Sequence, residues 1–193
     1  MDSLNRDLFW KLAEPEHLKA RAFCRKLMGS REDGDDLYQD ALVRALGRFD
    51  SLRDPDAFRS WLYRIIISTF QNTLRRPWRR RRAPLTEEAR ERLAGDDPSP
   101  VHAARRTLAR AFRAVSADDR ALVTLFELEG WSVAELAALK GRSEAAVKMR
   151  MSRARRKMRA ALAEAHVEAA APAKTKAETS EGNICVAAKP DLD

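Results

Sequence analysis

Between Ser143 and Ala163 the chain carries Lys148, Arg150, Arg153, Arg155, Arg156, Lys157 and Arg159, with Glu144 as the only acid. A helix that faced only water would usually mix charges at i,i+4 spacing. Cations this crowded suit a polyanion. Early residues of such a helix can reach base edges, while the later arginines neutralise phosphates. A second basic run, Arg75, Arg76, Arg79, Arg80, Arg81 and Arg82 with Trp78 among them, ends an apolar, aromatic-bearing stretch. Arginines that track a backbone, beside rings that offer faces for stacking, suit single-stranded or distorted nucleic acid. The plainer role is a solvated basic face on a bundle helix for the first run and a solvated helix end or linker for the second. For Phe58 and Trp61, three apart on one face, the expected role is core packing.

Those residues need elements to hold them. Ser132 and Glu135 have the spacing of a capping box, in which a hydroxyl takes an orphan amide and a carboxylate reaches back. They start a short helix that runs to Lys140. Gly141 can take the positive φ that ends it, Arg142 completes the turn and Ser143 can cap the next helix. Val133, Leu136 and Ala137 on the first helix face Val147 and Met151 on the second. This is helix-turn-helix geometry, whose second helix enters the major groove. Upstream, Leu37, Ala41, Leu42, Ala45, Leu46 and Phe49 make one helical stripe. Phe58, Trp61, Leu62, Ile65, Ile66, Thr69 and Leu74 make another. Leu8, Phe9 and Leu12, then Leu18, Ala22 and Leu27, predict two earlier helical pieces broken near Pro15. The β-branched run Ile65 to Ser68 lies inside a long helical pattern and is read as helix. Asp54 before Pro55 reads as a helix start, and Ser116 with Asp119 as a second capping pair.

The fold class expected is therefore all-α: two small helical domains joined by a flexible linker, the second a helix-turn-helix. The first spans residues 1–82 and the second 101–165. The proline-rich, acidic stretch 83–100 is the linker, and the sparsely apolar stretch 166–193 is expected to be a disordered tail.

Composition excludes several function classes. The 193 residues hold 37 Lys+Arg against 29 Asp+Glu, a formal net charge of +8 that suits a polyanionic partner. Cys24 and Cys185 stand far apart and near no His cluster, which argues against a disulfide scaffold or zinc site and fits a reducing cytoplasm. The charged start MDSLNRDLFWKLAEPEH is not a signal peptide, and no stretch approaches the ~18 apolar residues of a membrane span. No membrane insertion is expected. His17, His102 and His166 are scattered, and no phosphate loop, GxSxG or HExxH occurs. Asp33, Asp35 and Asp36 read as an acidic helix start rather than a metal site. No catalytic activity, metal or cofactor is expected. A helix-turn-helix also occurs in autonomous regulators that bind palindromes as dimers. That alternative stays open, although an effector domain has no need of the arginine-rich exit after Leu74.

The order DDLYQDALVRAL, FRSWLYRI…TLRR, linker and SEAAVKMRMSRARRKMR resembles the extracytoplasmic-function group of bacterial sigma factors, over about Asp7 to Leu162. The resemblance implies that Asp36, Leu37, Gln39 and Asp40 dock on core RNA polymerase; Asp40 stands where the family usually has Glu. It implies that Ser51, Leu52 and Arg53, in the loop 50–54, capture a flipped base of the −10 element. Ser68, Asn72, Arg75 and Arg76 would face −10 DNA, with Ser68 replacing a frequent Asn. Ser143, Ala146, Lys148, Met149, Arg150, Arg153 and Arg155 would meet the −35 element. Ala146 and Met149, in place of commoner hydroxyl residues, would offer apolar contact to thymine methyls. The implied partners are core RNA polymerase, promoter DNA and an anti-sigma factor.

Overall fold

The structure, a computed structural model, describes residues 3–75 and 100–170. It is helical, with no strand among the described residues. Arg76, the run Arg79 to Arg82, the linker up to residue 99, and the tail from residue 171 with Cys185 lie outside them.

Local chemistry sets the helix boundaries. Helix α1 (Ser3–Ala13) leads through a 3-10 turn, Glu14–Glu16, into α2 (His17–Met28). Pro15 opens that turn because it has no amide to donate. Gly29 ends α2 at φ 76°, and the Ser30 hydroxyl accepts the Asp33 amide at 3.1 Å to start α3 (Arg31–Leu46). A 3-10 turn, Phe49–Ser51, and a second, Pro55–Ala57, precede α4 (Phe58–Arg75). Asp54 caps the second, accepting the Asp56 amide at 3.0 Å. The β-branched run is helix, as its setting predicts: Ile65, Ile66 and Ile67 are all buried, and burial outweighs a small propensity deficit. Beyond the linker come α5 (Pro100–Arg113), α6 (Ala117–Glu129), α7 (Val133–Lys140) and α8 (Glu144–Ala170). Both expected capping pairs form, Ser116–Asp119 and Ser132–Glu135. Helix α8 continues past the expected boundary at residue 165.

Helices α2 and α3 pack at unusually close range. A Cβ added to Gly34 would lie 2.4 Å from the Arg25 Cα, so only glycine fits. One residue on, Asp35 accepts two bidentate forks. Arg21 donates from Nε and Nη2 at 2.8 and 2.7 Å, and Arg25 from the same atoms at 2.7 and 2.8 Å. The hydrogen bonds from Arg25, then those from Arg21, hold the Asp35 carboxyl well below the usual carboxylate range. A depressed folded-state pKa contributes stability above the unfolded value, about 3.9, and loses it as pH falls through the folded one. Asp35→Asn is therefore expected to lower the urea midpoint at neutral pH. Its gap to wild type should shrink as pH drops below about 4; a gap that stays constant from neutral to acid pH would refute the assignment.

The N-terminal helices close over Phe9, Phe23, Leu27, Leu62, Tyr63, Ile66 and Phe70, all fully buried. Phe58 packs edge-on to Phe9 and Phe49, and Trp61 joins them, which is the core role expected. The C-terminal helices do not form a separate island. Leu122, Leu125, Trp131, Leu136, Val147 and Met151 continue the same buried cluster. Trp131 lies 4.9 Å from the Tyr63 ring, and the Arg59 guanidinium lies over the indole at 4.3 Å. Around this seam Arg59 pairs with Glu135 at 3.0 Å and Lys26 with Glu129 at 2.8 Å. Each full burial of a large apolar side chain contributes about 1.5–3 kcal/mol, so the seam is a substantial part of the fold's stability.

Candidate nucleic-acid interface

Helix α3 buries Leu37, Ala41 and Ala45 and leaves Asp36, Gln39, Asp40 and Val43 in water. Spacings of three and four put these exposed residues on one stripe. Leu37 must be corrected: at 2 % exposure it supports the helix from inside and has no surface to offer a partner. Val43, 72 % exposed, extends the stripe by a turn. Its spacing of four and three from Gln39 and Asp40 is the signal that places it on this stripe rather than on the buried one. This acidic face repels phosphate and suits a protein.

Helix α4 presents a different face. Ser68, Asn72 and Arg75 are exposed at spacings of four and three, and Arg64 falls four residues before Ser68 on the same line. Arg64 was legible from that spacing alone. The preceding loop is anchored on both sides. The Ser51 hydroxyl donates to the Arg48 carbonyl at 2.6 Å, and Asn5 donates to Asp50 at 3.1 Å. Ser51 and Arg53 are exposed, while Leu52 is half-buried against the core. A half-buried leucine on a fixed loop can offer one apolar flank to a base.

In the helix-turn-helix, Gly141 adopts φ 60° and ends α7. The Ser143 hydroxyl accepts the Ala146 amide at 3.3 Å. Leu136, Ala137, Val147 and Met151 are buried between α7 and α8, as their spacing predicts. The outer face of α8 carries Ser143, Ala146, Met149, Arg150, Arg153 and Lys157, all exposed and following helical spacing. Met149 is 56 % exposed, an apolar side chain available to a thymine methyl.

Two expected members of that face sit elsewhere. Lys148 is two residues from Arg150, which on a helix places it on the opposite side, where it faces Glu144 at 3.7 Å. Arg155 folds back on α6: its Nε and Nη2 reach the Glu127 carboxylate at 2.8 and 2.6 Å, over the Phe126 ring. It braces α8 against α6. Arg150 stays on the outer face but is engaged by two carboxylates, Asp118 at 2.8 Å and Asp119 at 2.5 Å. Burial pushes the Asp119 carboxyl up, but hydrogen bonds from Ser116 and Arg150 more than offset it and hold it low. The sequence marks Asp119 only as a cap and does not mark Asp118, because each pairs with Arg150 some thirty positions away.

The arrangement is therefore one acidic face and two basic ones on a single helical body. Comparisons with known proteins match it in two blocks. The family model described as Sigma-70 region 2 covers residues 12–80, and Sigma-70, region 4 covers 105–158. The chain is 30% identical over 154 residues to ECF RNA polymerase sigma factor SigM of Mycobacterium tuberculosis, covering 80% of this chain and 76% of that protein. It is 33% identical over 150 residues to RNA polymerase sigma-E factor of Streptomyces avermitilis, covering 76% and 80%. Among solved structures, CnrH, determined in complex with the cytosolic domain of CnrY, superposes with a TM-score of 0.53 at 28% identity, covering 84% of this chain and 89% of that one.

Proposed function

Because the chain belongs to the extracytoplasmic-function group of RNA polymerase sigma factors, we propose that its three faces divide the work of promoter recognition. The family is one of transcription initiation factors, and promoter-directed initiation is the function of this chain. Asp36, Gln39 and Asp40, extended by Val43, dock on core RNA polymerase. Ser51, Leu52 and Arg53 hold an extruded −10 base, while Arg64, Ser68, Asn72 and Arg75 follow the adjoining strand. Ser143, Ala146, Met149, Arg150 and Arg153 meet the −35 duplex. The chain itself supplies no chemistry; bond formation belongs to the polymerase, in the cytoplasm.

The observation that carries this reading is the separation of charge. An acidic face takes a protein, while basic faces on α4 and α8 take nucleic acid. Two weak DNA sites on one scaffold gain from effective concentration, so neither has to be tight alone. Extruding a base costs a few kcal/mol, which the loop and the polymerase must offset. We also propose an inhibitory protein partner of the anti-sigma type. CnrH, which shares this fold, was solved with the cytosolic domain of CnrY, and no described helix of this chain is long and apolar enough to cross a membrane itself.

The test is run-off transcription with sigma-free core polymerase on DNA from upstream of the chain's own gene. Asp40→Ala and Arg150→Ala are each expected to lower the yield about tenfold, the size of one interfacial contact of about 1.4 kcal/mol. Asp40→Ala should act on core binding and Arg150→Ala on promoter binding. A specific duplex footprint by the chain alone, with no core binding and no transcript, would replace this reading with an autonomous regulator.

A further inference from the structure

We propose that Asp118 and Asp119 are positioning residues that hold Arg150 in a charge-neutral set and thereby lower this chain's own affinity for DNA. The proposal rests on the reading of α8 as the −35 face. Asp118 is a junction of three elements. It receives Arg150 of α8 at 2.8 Å, the Lys140 ammonium of α7, and the Gln71 side-chain amide of α4 at 3.1 Å. Asp119 takes Arg150 Nε at 2.5 Å while closing the capping pair with Ser116. Asp118, Asp119, Lys140 and Arg150 sum to zero charge. An approaching phosphate meets a guanidinium already engaged by two carboxylates that repel it.

The Arg150 side chain remains 45% exposed, whereas Asp118 and Asp119 are 22% and 17% exposed. The acids are therefore fixed and the arginine is the member free to leave. Leaving costs its paired hydrogen bonds. A phosphate or a base edge that takes the guanidinium in bidentate fashion must replace them. Gln71 belongs to the N-terminal half, so the junction is completed across the seam described above.

Fluorescence anisotropy of the full chain on a random-sequence duplex, titrated with salt, tests this. Asp118→Asn releases one positive charge. It is expected to steepen the slope of log affinity against log salt by about 0.9 and to raise affinity about eightfold near 0.1 M salt. Asp119→Asn, which keeps an acceptor for the cap, should act in the same direction, and Asp118→Glu should restore the wild-type slope. A purely structural role for the acids would change the melting temperature and leave the slope alone. Arg150→Ala should weaken duplex binding and abolish the gain from Asp118→Asn. If the Asn variants leave slope and affinity unchanged, or lower the affinity, the restraint is refuted while the −35 face stands. If Arg150→Ala leaves binding to promoter duplex unchanged, the reading of α8 itself falls.

Discussion

Trp131→Ala is expected to cost about 3–5 kcal/mol of stability, the range for deleting a buried large aromatic. Trp131 is 3 % exposed and contacts two side chains from the other half of the molecule, the Tyr63 ring 4.9 Å away and the Arg59 guanidinium over the indole at 4.3 Å. Removing the indole opens a cavity on the Tyr63 side and strips Arg59 of its platform. Arg59 then keeps Glu135 and Glu16 but loses the cation–π contact. The loss falls on the seam rather than on either half alone. Urea unfolding followed by circular dichroism should therefore show both a lower midpoint and a split into two transitions, as coupling between the halves weakens. Trp131→Phe should recover part of the midpoint and a single transition. An alanine variant that unfolds at the wild-type midpoint in one step would show that Trp131 does not join the halves.

Gly34→Ala is expected to destabilise even though alanine is the better helix former by about 1 kcal/mol. Gly34 lies in α3, where the new Cβ would fall 2.4 Å from the Arg25 Cα and 2.7 Å from the Arg25 amide nitrogen. These are main-chain atoms, so no rotamer change relieves the overlap; helices α2 and α3 must move apart. Overpacking of this kind costs about 3 kcal/mol at the upper end of its usual range, leaving a net loss of about 2 kcal/mol. For a chain of this length that corresponds to a fall of about 4–8 °C in melting temperature. The displacement would also strain the Asp35 forks and tilt the Asp36–Asp40 stripe. Core-polymerase affinity should fall with stability, while duplex binding through α8 should not. A raised melting temperature would mean that propensity decides at this position and that the helices are not in closest contact.

Much of this molecule was determined by short-range chemistry, and that part was legible. The helices, the Pro15 break, the capping pairs at Ser116 and Ser132 and the Gly141 turn all depend on atoms within a few residues of one another. Hydrophobic spacing then fixes which face is buried. The stripe on α4 and the Val147–Met151 face of α8 could be read in that way. Leu37 shows the limit of motif reading: it lies in a functional segment, yet its spacing with Ala41 and Ala45 places it in the core.

What only the tertiary structure decided is how distant pieces meet. No local rule predicts that Gly34 must clear the backbone of Arg25, because its sequence context favours nothing but a helix. Nor does any rule place Arg59 against Trp131 and Glu135, the latter 76 positions away. The basic residues of α8 look equivalent in sequence, and packing separates them: Arg155 turns inward to Glu127, Lys148 faces away, Arg153 stays free on the outer face, and Arg150 is shared between two acids of α6. The sequence alone determined that this chain is helical, basic and built to meet nucleic acid, because helix periodicity and charge are properties of neighbours. Which cations are available to DNA was decided by the fold, because an ion pair depends on where a second helix brings its carboxylate.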